Sequence, residues 1–236
     1  MIISLHLPKT AGSSFKASLQ QHFDHKMLLD YADLPINTPP FQRNQNAMIS
    51  GLQNAERNFE ESECIHGHFM PAKYLLLDSI KPLTFVTWLR HPVERVVSHY
   101  YFWQRRYCPE DPPLHKRIVE EKWSLERFCL SNEMQNLYQQ FLWGFPLHNF
   151  DFIGITEHYE EDFRYFAKTF LQKDVVSYKE NINENKKGNY PISKSFRKKI
   201  ESFHKSDMEL YNSVLKLRIQ RKKTFASKIF GYLQKF

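Results

Sequence analysis

Lys9-Thr10-Ala11-Gly12-Ser13-Ser14 puts a cation, a glycine and three hydroxyls into one short turn. The turn follows the largely apolar run Ile2 to Leu7, which Pro8 ends. It opens a pattern in which Phe15, Leu19 and Phe23 recur at helical spacing. A strand feeding a small-residue turn into a helix N-terminus makes an anion site, because the first amides of a helix have no internal acceptor. The segment therefore reads as a phosphate cradle with a lysine beside it. It is not a Walker loop. In that motif the lysine follows the second glycine and the next Ser/Thr holds magnesium, whereas Lys9 precedes Gly12 by three positions.

Two further segments carry matching chemistry. Pro82 to Leu89 is β-branched and aromatic, and it leads into Arg90-His91-Pro92-Val93-Glu94-Arg95-Val96-Val97-Ser98. This predicts a buried strand and then a helix started by Pro92, with Arg90 at the carboxyl end of the strand and Ser98 two turns into the helix. Open α/β sheets bind ligands outside the carboxyl ends of their strands, so Arg90 and Lys9 are expected to open onto one crevice. Arg95 reads as a helix-surface charge or an ion-pair partner. Between the two lies Cys64-Ile65-His66-Gly67-His68-Phe69, a short strand ending in a glycine turn. Imidazole suits general-base work near neutral pH. His-x-His is also half of a metal site, but no Cys, His, Asp or Glu partner stands at a familiar ligand spacing.

Together these segments resemble the sulfotransferases that use 3′-phosphoadenosine 5′-phosphosulfate (PAPS). Leu7 to Phe15 is similar to their 5′-phosphosulfate loop, in the form found in the carbohydrate branch with the heparan sulfate 2-O- and 6-O-sulfotransferases. Arg90 to Ser98 resembles the 3′-phosphate signature, strand–Arg-[Asp/His]-Pro-x-x-Arg-x-x-Ser, and His66-Gly67-His68-Phe69 resembles the segment that carries the general base. The resemblance implies an α/β chain with the P-loop-NTPase-like sulfotransferase fold, a central mostly parallel sheet flanked by helices. It implies that amides of Thr10, Ala11, Gly12, Ser13 and Ser14 hold the 5′-phosphate and that Lys9 neutralises the bridging oxygen as it leaves. Arg90 and Ser98 would grip the 3′-phosphate, and His68 would take the acceptor proton. His66 would orient substrate or a neighbouring side chain. Lys187 and Gly188, in the basic run Lys186-Lys187-Gly188, would close over the nucleotide, although a solvated lysine turn reads equally well. PAPS is then the donor, adenosine 3′,5′-bisphosphate the product, and no metal is required. Weaker matches follow in family order: Asn132 to Asn136, Phe150 to Glu157, Asn181-Ile182-Asn183, and Asp207-Met208-Glu209-Leu210-Tyr211. For Leu210 and Tyr211, ordinary core packing is the simpler reading.

Periodicity and punctuation give the elements that must hold these groups. A strand is expected over about 2–7 and a helix over about 12–24. Pro35, Pro39 and Pro40 predict an irregular stretch near 33–41, followed by a helix over about 47–59. Beyond the strand at about 83–89, helices are expected near 92–107, 114–121, 124–130 and 132–142. A strand at about 151–155, a helix at 158–171 and a further strand at 174–177 complete the core. Alternating strands and helices imply a largely parallel sheet covered on both faces. The rigid loop Cys108-Pro109-Glu110-Asp111-Pro112-Pro113 is expected to rim the acceptor site.

A chain of 236 residues suffices for one α/β domain, here assigned to residues 1–215. Only 7 glycines argue against long flexible linkers. The sequence has no apolar run long enough to span a membrane, and because it opens with the strand, no signal peptide is expected. Cys64, Cys108 and Cys129 are odd in number, as expected in a reducing compartment. A compact, bacterial-type, cytoplasmic enzyme is the expectation. The net charge of +7 and pI near 9.2 collect largely in residues 216–236, which read as a basic amphipathic C-terminal helix. Such a helix can lie on the anionic inner face of a membrane, or pack on the domain or on a second copy.

The reaction implied is O-sulfation, transfer of a sulfuryl group from PAPS to a hydroxyl acceptor, expected to be a carbohydrate such as a polysaccharide or glycolipid. A nucleotide-binding kinase-like protein would share the phosphate turn but lacks Gly-Lys-[Ser/Thr] and a magnesium carboxylate. A catalytically inactive sulfotransferase-like protein is the other alternative. A nucleic-acid module would explain the basic charge, yet no recognition motif is present.

Overall fold

The computed structural model describes residues 1–173 and 190–233, with the side chains of the final helix described through residue 223. Five strands, β1 (Ile2–Leu5), β2 (Met27–Leu29), β3 (Cys64–Gly67), β4 (Thr84–Leu89) and β5 (Phe152–Ile155), form one sheet in the order β2-β3-β1-β4-β5. Every neighbouring pair is parallel. The helices are α1 (Gly12–Phe23), α2 (Pro40–Glu56), the single turn α3 (Leu75–Asp78), α4 (Pro92–Arg105), α5 (Pro113–Glu120), α6 (Leu125–Cys129), α7 (Leu137–Phe141), α8 (Tyr159–Phe166), α9 (Lys194–Phe203) and α10 (Lys205–Leu233).

Alternation along the strands decides what each face of the sheet carries. Ile3, Leu5, Ile65, Phe85 and Ile153 point to one side, where Leu137, Tyr138 and Phe141 of α7 and Leu210, Tyr211 and Val214 of α10 cover them. Ile2, Cys64, Val86, Trp88 and Phe152 point to the other, against Phe15 and Leu19 of α1 and Phe163 and Phe166 of α8. Each such fully buried side chain contributes about 1.5–3 kcal/mol. A third apolar cluster joins α4, α5, α6 and α9 beside the sheet. Register puts Ser4 next to His66 on the second face. Close packing also fixes glycine at residue 67, where a Cβ would stand 1.6 Å from the Asp30 carbonyl oxygen.

Several sequence expectations are corrected. β2 was not anticipated; it is a three-residue edge strand, too short to show a period. Helix α2 begins at Pro40, because Pro39 is its cap and Pro40 its first residue, where a missing N–H costs nothing. The helix expected at 132–142 is divided: a 3₁₀ turn at Asn132–Met134, then Asn136 in the left-handed region at φ 47°, then α7. The expected helix at 158–171 is α8 continued by a π-turn over Ala167–Leu171. The strand expected at 174–177, Asn181-Ile182-Asn183, and Lys187 with Gly188 lie outside the described residues.

The expected boundary at residues 215 and 216 falls inside α10, which runs without a break to Leu233. The root of the basic tail is bound to the domain. Arg218, 6% exposed, donates from Nε to both oxygens of the buried Asp162 carboxylate at 2.8 and 3.0 Å. Arg221 adds bonds to Asp162 Oδ1 at 2.9 Å and to the Ile153 carbonyl at 3.0 Å. Asp162 in turn accepts the Ile155 amide at 2.9 Å, which ties α10, α8 and β5 together. The apolar face expected of the tail helix comprises Leu217, Phe225, Ile229, Phe230, Leu233 and Phe236; Leu217 is exposed, and the others lie beyond the described side chains. No described helix is long and apolar enough to cross a membrane.

Removing one partner of a buried ion pair leaves the other uncompensated, so Asp162→Ala should cost about 3–5 kcal/mol of folding stability. Chemical denaturation would read this directly, and a loss below about 1 kcal/mol, as for a surface pair, would show that the network is solvated.

Candidate active site

The turn between β1 and α1 is shaped by backbone conformation more than by side chains. Lys9 and Ala11 both occupy the left-handed region, at φ 67° and 68°. Successive amides in such an arrangement converge into a concave anion nest. Thr10 lies between them, 1% exposed, and its hydroxyl donates to the Leu7 carbonyl at 2.8 Å. Thr10 therefore braces the loop from inside, and its hydroxyl points away from the cleft. The first helical bond is Phe15 N–H to the Ala11 carbonyl at 3.2 Å, so the amides of Gly12 and Ser13 stand at an open N-terminus. Gly12 is required sterically, because a Cβ there would meet the His6 ring at 1.8 Å.

The turn forms one wall of a cleft of about 800 Å³ at the carboxyl end of the sheet. Lys9, Ala11, Gly12, Ser13, Ser14, Arg90, Ser98 and His68 all line it. The parallel pairing of β1 with β4 brings Arg90 beside Lys9, and Arg90 Nη1 donates to the Lys9 carbonyl at 3.4 Å. The Lys9 ammonium lies 3.8 Å from the centroid of the Phe102 ring. Among the described residues neither cation has a carboxylate within ion-pair distance. Burial, reinforced by the charges of Arg90, Arg105 and Arg106, lowers the Lys9 pKa from 10.5 to about 8. Burial of a charge without a counter-charge disfavours it, and an anion in the cleft would supply that counter-charge.

Three imidazoles cluster behind the turn. His68 Nδ1 donates to the His6 carbonyl, which leaves Nε2 as an acceptor on the cleft side. Burial lowers the His68 pKa, partly offset by that backbone bond. A neutral imidazole with one fixed N–H and one open lone pair has the form of a general base. His66 is not at the cleft surface. It is 0% exposed, shares a 2.8 Å hydrogen bond with Ser4, and burial pushes its pKa down to about 3. It stays neutral, and its ring lies 5.2 Å from that of His6.

Sequence reasoning missed several lining groups. His6 holds His68 through its carbonyl, stacks 4.3 Å from the His68 ring and pairs with the Tyr31 hydroxyl at 3.2 Å through Nδ1. The signal was available: Ser4 and His6 alternate with the apolar Ile3, Leu5 and Leu7, which puts both polar residues on one face. Lys16, Tyr31, His99, Phe102 and Arg105 also line the cleft, and nothing in their local spacing marks them. Arg95 departs from both of its sequence readings. It is fully buried, its guanidinium nitrogens have no hydrogen-bond partner among the described residues, and its cation lies 5.7 Å from the Tyr138 ring.

The lowered Lys9 pKa has a definite pH signature. Between about pH 8 and 10.5 the unfolded chain retains a proton that the folded chain has released, so this group's contribution to stability rises with pH across that window. An anion bound beside Lys9 raises its pKa again. Binding of adenosine 3′,5′-bisphosphate near pH 8.5 should therefore take up a proton, seen as a dependence of the calorimetric enthalpy on buffer ionisation. Lys9→Ala should abolish that dependence. Buffer-independent enthalpy in the native chain would show that the anion sits elsewhere.

No protein-family model matches the chain, and no curated protein does. Among solved structures, the chain is similar to mouse sulfotransferase SULT7A1 complexed with PAP, at 14% identity and a TM-score of 0.38. The match covers 72% of this chain and 56% of that one, so the chain spans little more than half the length of that structure.

Proposed function

We propose that this protein is a PAPS-dependent O-sulfotransferase with a carbohydrate acceptor. The observation that carries the reading is the meeting, in one cleft, of the Lys9–Ser14 turn, the Arg90 guanidinium and the open Nε2 of His68. Two phosphate-binding elements on adjacent strands match a ligand with phosphates at two positions, and Arg90 offers the bidentate fork that suits the second. Ser98, buried at the cleft wall two turns into α4, adds a hydroxyl on the same side. For the acceptor, the exposed ring of Tyr31, beside His68 at the cleft, offers an aromatic surface for a sugar ring.

On this reading the nest amides and Lys9 hold the 5′-phosphosulfate. Sulfuryl transfer, like phosphoryl transfer, depends on in-line positioning and on stabilising the oxygen that leaves. Lys9, held by the Phe102 ring, carries the charge for that oxygen. His68 Nε2 accepts the acceptor proton as its hydroxyl oxygen attacks sulfur, and the Nδ1 bond to His6 stabilises the imidazolium that results. His66 acts at one remove, as part of the ring cluster that fixes His6.

Calorimetric titration with adenosine 3′,5′-bisphosphate, AMP and ATP-magnesium tests the donor site. Micromolar binding of the bisphosphate, with AMP much weaker, is expected. ATP-magnesium binding without preference for the bisphosphate would instead favour the kinase-like alternative. Lys9→Ala and His68→Ala should each lower turnover by about 10²–10⁴, while Arg90→Ala should chiefly weaken donor binding. Turnover near the native value in His68→Ala would remove it from the base role.

A further inference from the structure

Two segments that lie outside the phosphate turn converge on one stretch of backbone, Leu89-Arg90-His91. This stretch leaves the sheet at the end of β4 and has not yet entered α4. Its polar groups are held by side chains. The Thr156 hydroxyl donates to the Leu89 carbonyl at 3.0 Å. The Tyr138 hydroxyl accepts the Arg90 amide at 3.0 Å and donates to the Arg90 carbonyl at 2.6 Å. Glu157 Oε1 accepts the His91 amide at 2.8 Å, and its other oxygen accepts the Tyr211 hydroxyl at 3.1 Å. Four consecutive main-chain groups are thus fixed from two sides.

The Tyr138 side of this clamp is built deep in the protein. Tyr138 is 0% exposed, and its own amide donates to Asp207 Oδ2 at 3.1 Å. Asp207 Oδ1 accepts the Gln139 amide at 3.3 Å, so one carboxylate at the start of α10 caps the start of α7. The Arg95 guanidinium lies over the Tyr138 ring. A hydroxyl can donate one bond and accept others, and that of Tyr138 is committed in both senses to a single residue, Arg90. The backbone of a residue between strand and helix is otherwise free to turn, and its direction decides where a long side chain can reach. An error of about 1 Å in a positioning group is enough to lose a bidentate contact.

We propose that Tyr138 and Glu157 are positioning residues that aim Arg90, and that through Arg90 they set the preference for a ligand bearing a 3′-phosphate. The inference rests on the reading of the cleft as a PAPS site. Neither side chain need touch the nucleotide. Their effect is on selectivity between two ligands that differ only in the phosphate Arg90 reads.

The test is a titration series with adenosine 3′,5′-bisphosphate and AMP on the full chain. Tyr138→Phe removes the hydroxyl and keeps the ring beneath Arg95. It should weaken the bisphosphate about tenfold or more, the loss expected when a misaimed guanidinium forfeits a charge-assisted hydrogen bond to the 3′-phosphate, and leave AMP unchanged. In an Arg90→Ala background the same substitution should cause no further loss, because the group it aims is gone. Glu157 is exposed, so Glu157→Ala keeps the fold should Tyr138→Phe not, and the same selective loss is expected of it. Equal losses for both ligands, or losses that add in the double variant, would overturn the proposal. A native chain that binds the bisphosphate no better than AMP overturns the donor-site reading itself, before any variant is made.

Discussion

Parallel pairing of β1 with β4 is the constraint on which the rest of the site depends. Adjacent parallel strands release their chains at the same edge, so the turn after Leu5 and the bend after Leu89 face one crevice. The Thr87 hydroxyl ties the two strands directly, donating to the Leu5 carbonyl at 3.0 Å. This arrangement sets Lys9 beside Arg90 with an aromatic ring in place of a counter-charge. Burial, with repulsion from the like charge of Arg90 after it, lowers the Lys9 pKa. A site built this way is already oriented toward an anion, and its dipoles and charges need little rearrangement when one arrives.

The uncharged side of the cleft follows the opposite logic. His6, His66 and His99 all have their pKa values pushed down by burial, so they add ring area without adding charge. His6 is the hub, since its carbonyl fixes the tautomer of His68 and its ring excludes any side chain at position 12. Tyr31 reaches this cluster because β2 and the following loop are anchored by Lys73, which bridges Asp30 at 2.7 Å and Asp33 at 3.1 Å in a mostly buried network. His68 thereby lines the cleft with its Nδ1 already committed to the His6 carbonyl.

Beneath the site, the helical layer carries polar groups that would be costly to bury alone. Asp207 is 0% exposed, and burial raises its pKa to about 6 even though three backbone amides of α7 oppose the shift. Arg95 offsets part of that cost from nearby without forming an ion pair. These groups hold α7 against the sheet, and α7 holds Tyr138. The path from the start of α10 to the Arg90 backbone is a chain of direct hydrogen bonds.

The residues that carry the chemistry were legible because their signals are local. A lysine, a glycine and hydroxyls between an apolar strand and an amphipathic helix mark the turn at Lys9–Ser14, and Arg90 before Pro92 marks the end of β4. Interior assignments also followed from local pattern, as for Phe15 and Leu19 on α1. Pro40 was misread because the same residue breaks a helix interior and starts a helix, and only the chain's path distinguishes the two. What the sequence by itself determined is which short segments have the composition to bind an anion or move a proton. Tertiary structure alone decided that Thr10 turns inward, that His66 is buried while His68 lines the cleft, and that Arg95 is fully buried over the Tyr138 ring. It also brought Tyr138 to Arg90 and Glu157 to His91, across 48 and 66 residues of chain. Those outcomes depend on burial and on contacts between distant segments, and no periodicity encodes either.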